Sequence, residues 1–405
     1  MYGRSPWVDQ FPQSRVPAYP RQRGRIKMDV VIVGGGLTGC ATAYAFSGAG
    51  LKVALLEAGR IGRGSTGSSA GWIGDDPGGS FVDLEQAVGL RRARHAWQAW
   101  HKAGLDLAAL LRQGNVTCQL EPCTTLTVAM HADEIDRLTR ERKARRAAGV
   151  DVPLVNAPTL ASEVALTAAS GVRTPKDATL DPYRATVGLA AAAIERGARI
   201  FEHSAARTIS FDRKSADIET PEGAIHTTRI IMATGSPTAL VKGLRRHFWF
   251  RSTYLALTAP IPAKIRQQLG ARLAVVRDSA NPPHLVRWVR WGDAERLLVM
   301  GADSETPPEP RREKTIIQRT GQLMYELSTL YPDISGIQPE YGWEAPYTRS
   351  GDGLPCIGPH RNYPFHLFAF GDASHGLAGA YLASRVLLRH HLDKLEPADE
   401  VFGFR

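Results

Sequence analysis

Gly34, Gly36 and Gly39 fall at G-x-G-x-x-G spacing, and Glu57 lies 23 residues after the first of them. In the right setting, residues of these types hold the phosphates and the adenosine ribose of a dinucleotide. Gly34 allows a tight turn, Gly36 lets backbone amides approach a pyrophosphate, and Gly39 lets a helix pack closely on the preceding strand. Leu37 and Thr38 open that helix, whose positive N-terminal end favours phosphate. The Glu57 carboxylate, followed by Ala58, would accept from the ribose hydroxyls and would repel a ribose bearing a 2′-phosphate. The motif by itself suits NAD and FAD equally.

Three further stretches could continue along the same ligand. The segment 58–74, AGRIGRGSTGSSAGWIG, has six Gly and four Ser or Thr in seventeen residues. Such a segment can lie along a flat ligand and offer amides and the hydroxyls of Ser65, Thr66, Ser68 and Ser69. A strand ending in A-T-G-S stops at Gly235, a second close approach of backbone. The glycine-rich turn from Gly371 to Gly379 then opens a second helix, whose positive end suits a group that gains negative charge. A reduced flavin has that need near its N1 and C2 carbonyl.

These residues require a particular set of elements. Asp29 to Val33 read as a strand, Leu37 to Phe46 as an Ala-rich helix and Leu51 to Leu56 as a second strand, which is the context the fingerprint needs. Leu84 to Leu111 shows one long helical pattern, in which Trp97 and Trp100 read as core. Val116 to Ala129 alternates as a strand or hairpin, and Asp133 to Ala148 reads as a charged helix. Leu180 to Phe211 returns to helix then strand, and alternating strands around Tyr254, Leu285 to Val289 and Leu297 to Met300 precede a helix from Lys314 to Tyr331. Leu367 to Phe370 is a last strand before the closing helix. The fold class is α/β, α+β overall.

The 405 residues, 43% of them apolar, suffice for two or three domains with real cores. No stretch approaches eighteen uninterrupted apolar residues, so no membrane-spanning helix is expected. Residues 1–27 contain four Pro and several Arg without an apolar core; they are read as an extended arm, not a secretory signal. Four sparse cysteines lack metal-ligand spacing, so no metal is expected and a reducing cytoplasm fits. The formal charge of +10 is spread over several helical stretches and reads as solvated faces, with no DNA partner expected.

The quoted motifs, with S-T-G-S-S-A-G-W, L-D-P-Y-R, Trp343 followed by D-G-L-P-C-I-G, and G-D-A-S-H-G-L, resemble the D-amino acid oxidase family of FAD enzymes, which includes glycine, sarcosine and γ-glutamylputrescine oxidases. The resemblance covers almost all of Met28 to Leu392. It implies a discontinuous Rossmann-like FAD-binding domain (28–90, 155–240 and 340–395) and a mixed-sheet substrate domain (91–154 and 241–339). It places Ser65, Thr66, Ala70, Gly71 and Trp72 along the ribityl chain and flavin, and Asp372, Ser374, His375, Gly376 and Leu377 at the pyrimidine side. Relatives that attach flavin covalently have a cysteine where this chain has Ala345, so noncovalent FAD is expected. Where glycine oxidase binds its substrate carboxylate with an arginine, this chain has Tyr347, with Arg349 two residues on. Where sarcosine oxidase has a lysine used with oxygen, this chain has Val299.

The implied reaction oxidises a C–N bond of an amine or amino acid, with hydride passing to flavin N5 and an imine left to hydrolyse. A low-dielectric pocket favours the neutral amine this needs. Candidates on the substrate side are Tyr254, His284, Arg287 and Tyr347, with Arg349 as an anion clamp. His375 is read as packing against the flavin. Oxygen is the expected acceptor, and a dehydrogenase serving a quinone or partner protein is the alternative; an RNA-modifying flavoprotein is a third reading. The substrate's identity is open, and a homo-oligomer is compatible with the chain.

Overall fold

The computed structural model describes residues 1–77, 79–212, 214–270, 273–280, 282–371 and 377–405. A six-stranded sheet runs in the order Cys356–His360, Tyr363–Phe370, Arg229–Gly235, Val30–Val33, Val53–Leu56, Arg199–Phe201. Its neighbours are parallel except for the first pair. Val30–Val33 and Val53–Leu56 are buried at every position, as a parallel sheet covered on both faces demands.

The two covers differ. Val30 and Ile32 point into a core shared with the helices Leu37–Gly48, Pro182–Glu195 and Leu377–His391. Val31 and Val33 point the other way, against Ile218, Ile225 and Met232. That second face is closed by a four-stranded sheet of Arg23–Lys27, Glu222–Thr227, Ala216–Glu219 and Thr208–Phe211. Trp100, on the helix Leu90–Gln113, fills the space where a Cβ at Gly379 would stand, 2.4 Å from its ring. Trp97 is fully buried, so both tryptophans are core as read from the pattern.

The nine-stranded sheet is mixed. Its main path is Pro339–Ser350, Phe248–Thr258, Ala294–Glu305, Leu285–Trp291, Val275–Arg277, Glu121–Ala129, Ser170–Thr179, Trp72–Ile73, and Leu154–Asn156 pairs with Ser170–Thr179. Only Val275–Arg277 against Glu121–Ala129 is parallel. The helix Glu309–Leu330 covers one face through Ile316, Leu323 and Leu327.

Several sequence expectations shift. The single helix expected over Leu84 to Leu111 is two helices, Phe81–Val88 and Leu90–Gln113, because Gly89 sits at φ +81°, outside helical geometry. Ser170–Thr179 and, but for its first residue, Pro339–Ser350 fall within segments expected on the FAD side, yet both lie in the nine-stranded sheet. Pairing between distant strands decided this, and local pattern carries no record of it. The arm is not free: Arg23–Lys27 pairs in parallel with Glu222–Thr227, and a short helix, Pro6–Asp9, is docked with Trp7 buried. Among the described residues no helix is long and apolar enough to cross a membrane.

Candidate active site

The strand–turn–helix around Gly34 makes a cradle that side chains would fill. Gly34 has φ +111°, and a Cβ there would lie 2.6 Å from the Ala233 carbonyl oxygen. A Cβ on Gly39 would come within 1.9 Å of the Gly34 carbonyl oxygen. Gly36 is the N-cap of the helix Leu37–Gly48, and Leu37 N–H donates to Thr66 Oγ1 at 3.1 Å. Thr66 therefore stands at the N-terminal end of that helix, and Ser65 is exposed next to it. Thr38 is half-buried in the helix's first turn, where N–H groups have no partner within the helix.

The Glu57 carboxylate accepts from Gly35 N–H and Gly59 N–H, both at 2.7 Å, and Ala58 beside it is exposed. An anchored carboxylate at the end of the second strand, a close-approach turn and a helix N-terminus fit an adenine dinucleotide. At Gly235, φ is +69°, and its carbonyl accepts from Thr348 Oγ1 at 2.7 Å and Gly371 N–H at 3.2 Å. This joins three chain segments that the sequence places far apart. Gly371 is buried at φ +82° and Leu377 opens the last helix, buried; Asp372, Ser374, His375 and Gly376 lie outside the described residues.

A cavity of about 580 Å³ opens beside the nine-stranded sheet. Thr127, Thr253, Met300, Asp303, Tyr347 and Arg349 come from its strands, and Leu84, Glu141 and residues 351–354 close the other sides. Of the sequence candidates, Tyr347 and Arg349 line it and Tyr254, Arg287 and His284 do not. Tyr254 faces the opposite side of the sheet, with Leu323 and Leu327, its hydroxyl 3.1 Å from Ser304 Oγ. Its neighbour Thr253 is the one that meets the cavity, because successive side chains on a strand point to opposite faces. Likewise Val299 is packed under the long helix and Met300 faces the cavity, so neither supplies a cation there.

The polar groups on the wall are mutually held. Arg251 grips Asp303 through Nη2 at 2.9 Å and Nε at 3.1 Å. Tyr347 hydrogen-bonds to both; burial foremost, and the Asp303 charge, hold its phenol above the ordinary range and so neutral. Thr253 Oγ1 donates to the Gly301 carbonyl at 3.0 Å, which leaves its lone pairs as acceptors. Arg277 pairs with Asp76 and lies over the Trp72 ring at 5.1 Å.

Behind the wall, Trp72 Nε1 donates to Thr125 Oγ1 at 3.1 Å, and Thr125 donates to Asp177 at 2.5 Å. Burial pushes the Asp177 carboxyl well up and Asp75 to about 6, the neighbouring acids adding to both. Thr253, Met300, Asp303 and Arg277 were not among the sequence candidates. The strand 248–258 is apolar on both faces past Thr253, with Tyr254 and Ala256 on one and Leu255 and Leu257 on the other. Alternation therefore could not show which face carried the cavity.

His284 does not line the cavity but stands behind its wall residue Asp278, between two acids, Nδ1 2.6 Å from Asp278 and Nε2 2.9 Å from Glu326. The hydrogen bond to Asp278 is the largest influence; burial opposes it, Glu326 reinforces it, and the imidazole is raised to about 9. An unfolded histidine titrates near ~6.5. The stabilisation is thus complete below about that pH and is lost as pH rises through the folded value. The melting temperature is expected to drop between neutral pH and pH 9.5, and His284→Gln to lower it at neutral pH and flatten the profile. An equally steep profile in the variant would contradict the assignment.

Residues 29–389 match the family model described as DAO, FAD dependent oxidoreductase. The chain is 23% identical over 370 residues to the probable oxidoreductase OrdL of Haemophilus influenzae, covering 89% of this chain and 81% of that one. It is 22% identical over 366 residues to the gamma-glutamylputrescine oxidoreductase of Escherichia coli, covering 89% and 83%. The crystal structure of glycine oxidase from Geobacillus kaustophilus superposes with a TM-score of 0.73 at 21% identity, over 92% of this chain and 96% of that one. At that identity the structural likeness is one of fold.

Proposed function

The chain belongs to the DAO family of FAD dependent oxidoreductases, and from this premise we propose that it oxidises the C–N bond of a small amine that carries a carboxylate. Gly34, Gly36, Leu37, Gly39 and Glu57 would hold the adenosine diphosphate half of FAD, and the 65–72 segment with Gly235, Gly371 and Leu377 its flavin half. Bound there, FAD supplies the acceptor for a hydride from the carbon next to nitrogen. Ala345 is not a nucleophile, and burial foremost raises the Cys356 thiol to about 11, which supports a dissociable cofactor.

One observation carries the substrate class. Every carboxylate among the described residues of the cavity wall has a cation within 4 Å: Asp83 with Arg137, Glu141 with Arg145, Asp278 with His284, Asp303 with Arg251, Asp352 with Arg405. Arg349, exposed on that wall, has no partner among the described residues. A substrate carboxylate there would gain a charge-assisted, two-pronged hydrogen bond. Among the described residues of the wall no unpaired acid invites a cation, so the amine enters neutral, its pKa lowered by leaving water. Thr253 accepts from the amine N–H, and the Tyr347–Asp303–Arg251 unit keeps the wall in place around it.

The gamma-glutamylputrescine oxidoreductase and glycine oxidase relatives bear names of substrates that combine an amine with a carboxylate, which supports this reading. The test is anaerobic bleaching of the yellow protein. Amines with a carboxylate are expected to bleach it, and amines lacking one to bleach it at least tenfold more slowly. Equal rates for both would refute the clamp, and bleaching by neither would move the search to larger substrates such as tRNA. Acid precipitation is expected to release FAD into the supernatant. Readmitting air then separates an oxidase, whose colour returns at once, from a dehydrogenase.

A further inference from the structure

Three consecutive carbonyls of the glycine- and serine-rich loop are each taken by a buried donor from elsewhere in the chain. Trp343 Nε1 donates to Ser68 O at 2.8 Å, Trp7 Nε1 to Ser69 O at 2.8 Å, and Arg287 Nε to Ala70 O at 2.6 Å. None of the three donors is more than 5% exposed. Loop residues with small side chains cannot orient their own peptide planes by packing. Here the orientation is imposed from outside.

Its consequence follows from the planar trans peptide, in which N–H points opposite to the preceding C=O. With the Ser69 and Ala70 carbonyls drawn toward Trp7 and Arg287, the N–H groups of Ala70 and Gly71 turn to the opposite side. Neither donates within the described residues. Gly71, at φ +69°, has no Cβ to stand in the way: one there would lie 2.6 Å from Arg287 Nη2 and 2.3 Å from Leu180 O.

Arg287 and Trp7 support each other. The guanidinium, buried without a carboxylate partner among the described residues, bonds Ala70 O and Leu180 O, at 2.6 and 3.1 Å, and lies 5.1 Å over the Trp7 ring. Trp7 is brought there by the N-terminal arm, which is anchored on the edge strand that also carries Trp343, Tyr347 and Arg349. Gly3 N–H donates to Gly342 O at 2.8 Å, Gln10 Nε2 to the Tyr341 hydroxyl at 2.7 Å, and that hydroxyl to Asp9 at 2.9 Å. Val8 packs on Gly67, 3.3 Å from where its Cβ would be, and Phe11 meets Tyr183 edge-on at 5.1 Å.

We propose that residues 3–11 of the N-terminal arm are part of the cofactor site, with Trp7 and Arg287 as positioning residues that turn the Ala70 and Gly71 amides toward the flavin. Arg287 thereby has a task other than the substrate contact expected of it, since it is walled off from the cavity. The arm acts as a strap across the loop. The proposal rests on FAD lying along this loop and is independent of which substrate is oxidised, so the amine test can fail and leave it standing.

The test uses Trp7→Phe, which removes the N–H and keeps most of the ring. The FAD dissociation constant of the variant is expected to rise about threefold to tenfold, the worth of one hydrogen bond to a buried carbonyl. The visible circular dichroism of the bound flavin should change with it. Arg21→Ala, which removes a surface pair of the arm with Glu222, is expected to leave both readings unchanged. Should Trp7→Phe fail to fold, Tyr341→Phe removes the hydroxyl that Gln10 and Asp9 share on the edge strand without touching the loop, and is expected to weaken FAD in the same direction. Unchanged dissociation constant and flavin dichroism in the folded variant overturn the proposal. A lowered melting temperature alone overturns it too, because it would make Trp7 core packing only.

Discussion

Gly39→Ala protein is expected to purify colourless and to bind FAD at least a hundredfold more weakly than the parent. The added methyl would sit 1.9 Å from the Gly34 carbonyl oxygen, a backbone atom that cannot swing aside as a side chain does. Gly34 cannot retreat either, because its own Cβ position is 2.6 Å from the Ala233 carbonyl. The helix must therefore lift off the sheet, and overpacking of this kind costs about 3 kcal/mol. If the helix end moves with it, that cost appears in binding as about 150-fold. Gly64→Ala is the matched control: it lies in the neighbouring loop, with φ −86° and nothing within 4 Å of a new Cβ. Flavin titration of both proteins decides the matter, and a Gly39→Ala protein that binds within tenfold of the parent would refute the close-packing argument.

Arg349→Met is expected to raise KM for a carboxylate-bearing amine about tenfold to a hundredfold, the loss of a charge-assisted pair at a partly exposed site. The clamp holds the carboxylate equally in the ground and transition states, so kcat should change little. Amines without a carboxylate should react as slowly with the variant as with the parent. This pattern separates a clamp from general damage to the pocket, which would lower kcat for every amine. An unchanged KM would remove Arg349 from the substrate site and return attention to Arg277, the other arginine that the sheet brings to the cavity.

Much of the cofactor side was legible in the chain itself. The glycine positions, the helix they open and the acid at the end of the second strand are demands of backbone sterics over a few residues, and local sequence reports local sterics. Trp97 and Trp100 showed as core for a similar reason, since helical periodicity records which face is buried. The resemblance in motifs extended this to the family, which the match over residues 29–389 bears out.

The substrate side was less legible, and the reason is geometric. Tyr254 and Thr253 are neighbours on a strand buried on both faces, so nothing in the apolar pattern tells the cavity side from the helix side. Arg287 looked like a substrate contact because arginine on a substrate-sheet strand can clamp an anion; its partners, Ala70, Leu180 and Trp7, are between about one hundred and nearly three hundred residues away in the chain. The arm read as a lead-in because a proline-rich stretch without periodicity carries no sign of what it docks on. The sequence by itself determined where the backbone must turn tightly and which glycines leave room for a close approach. Only the tertiary structure decided which side chains share the cavity, because strand pairing and sheet facing are set by packing between segments that no local pattern links.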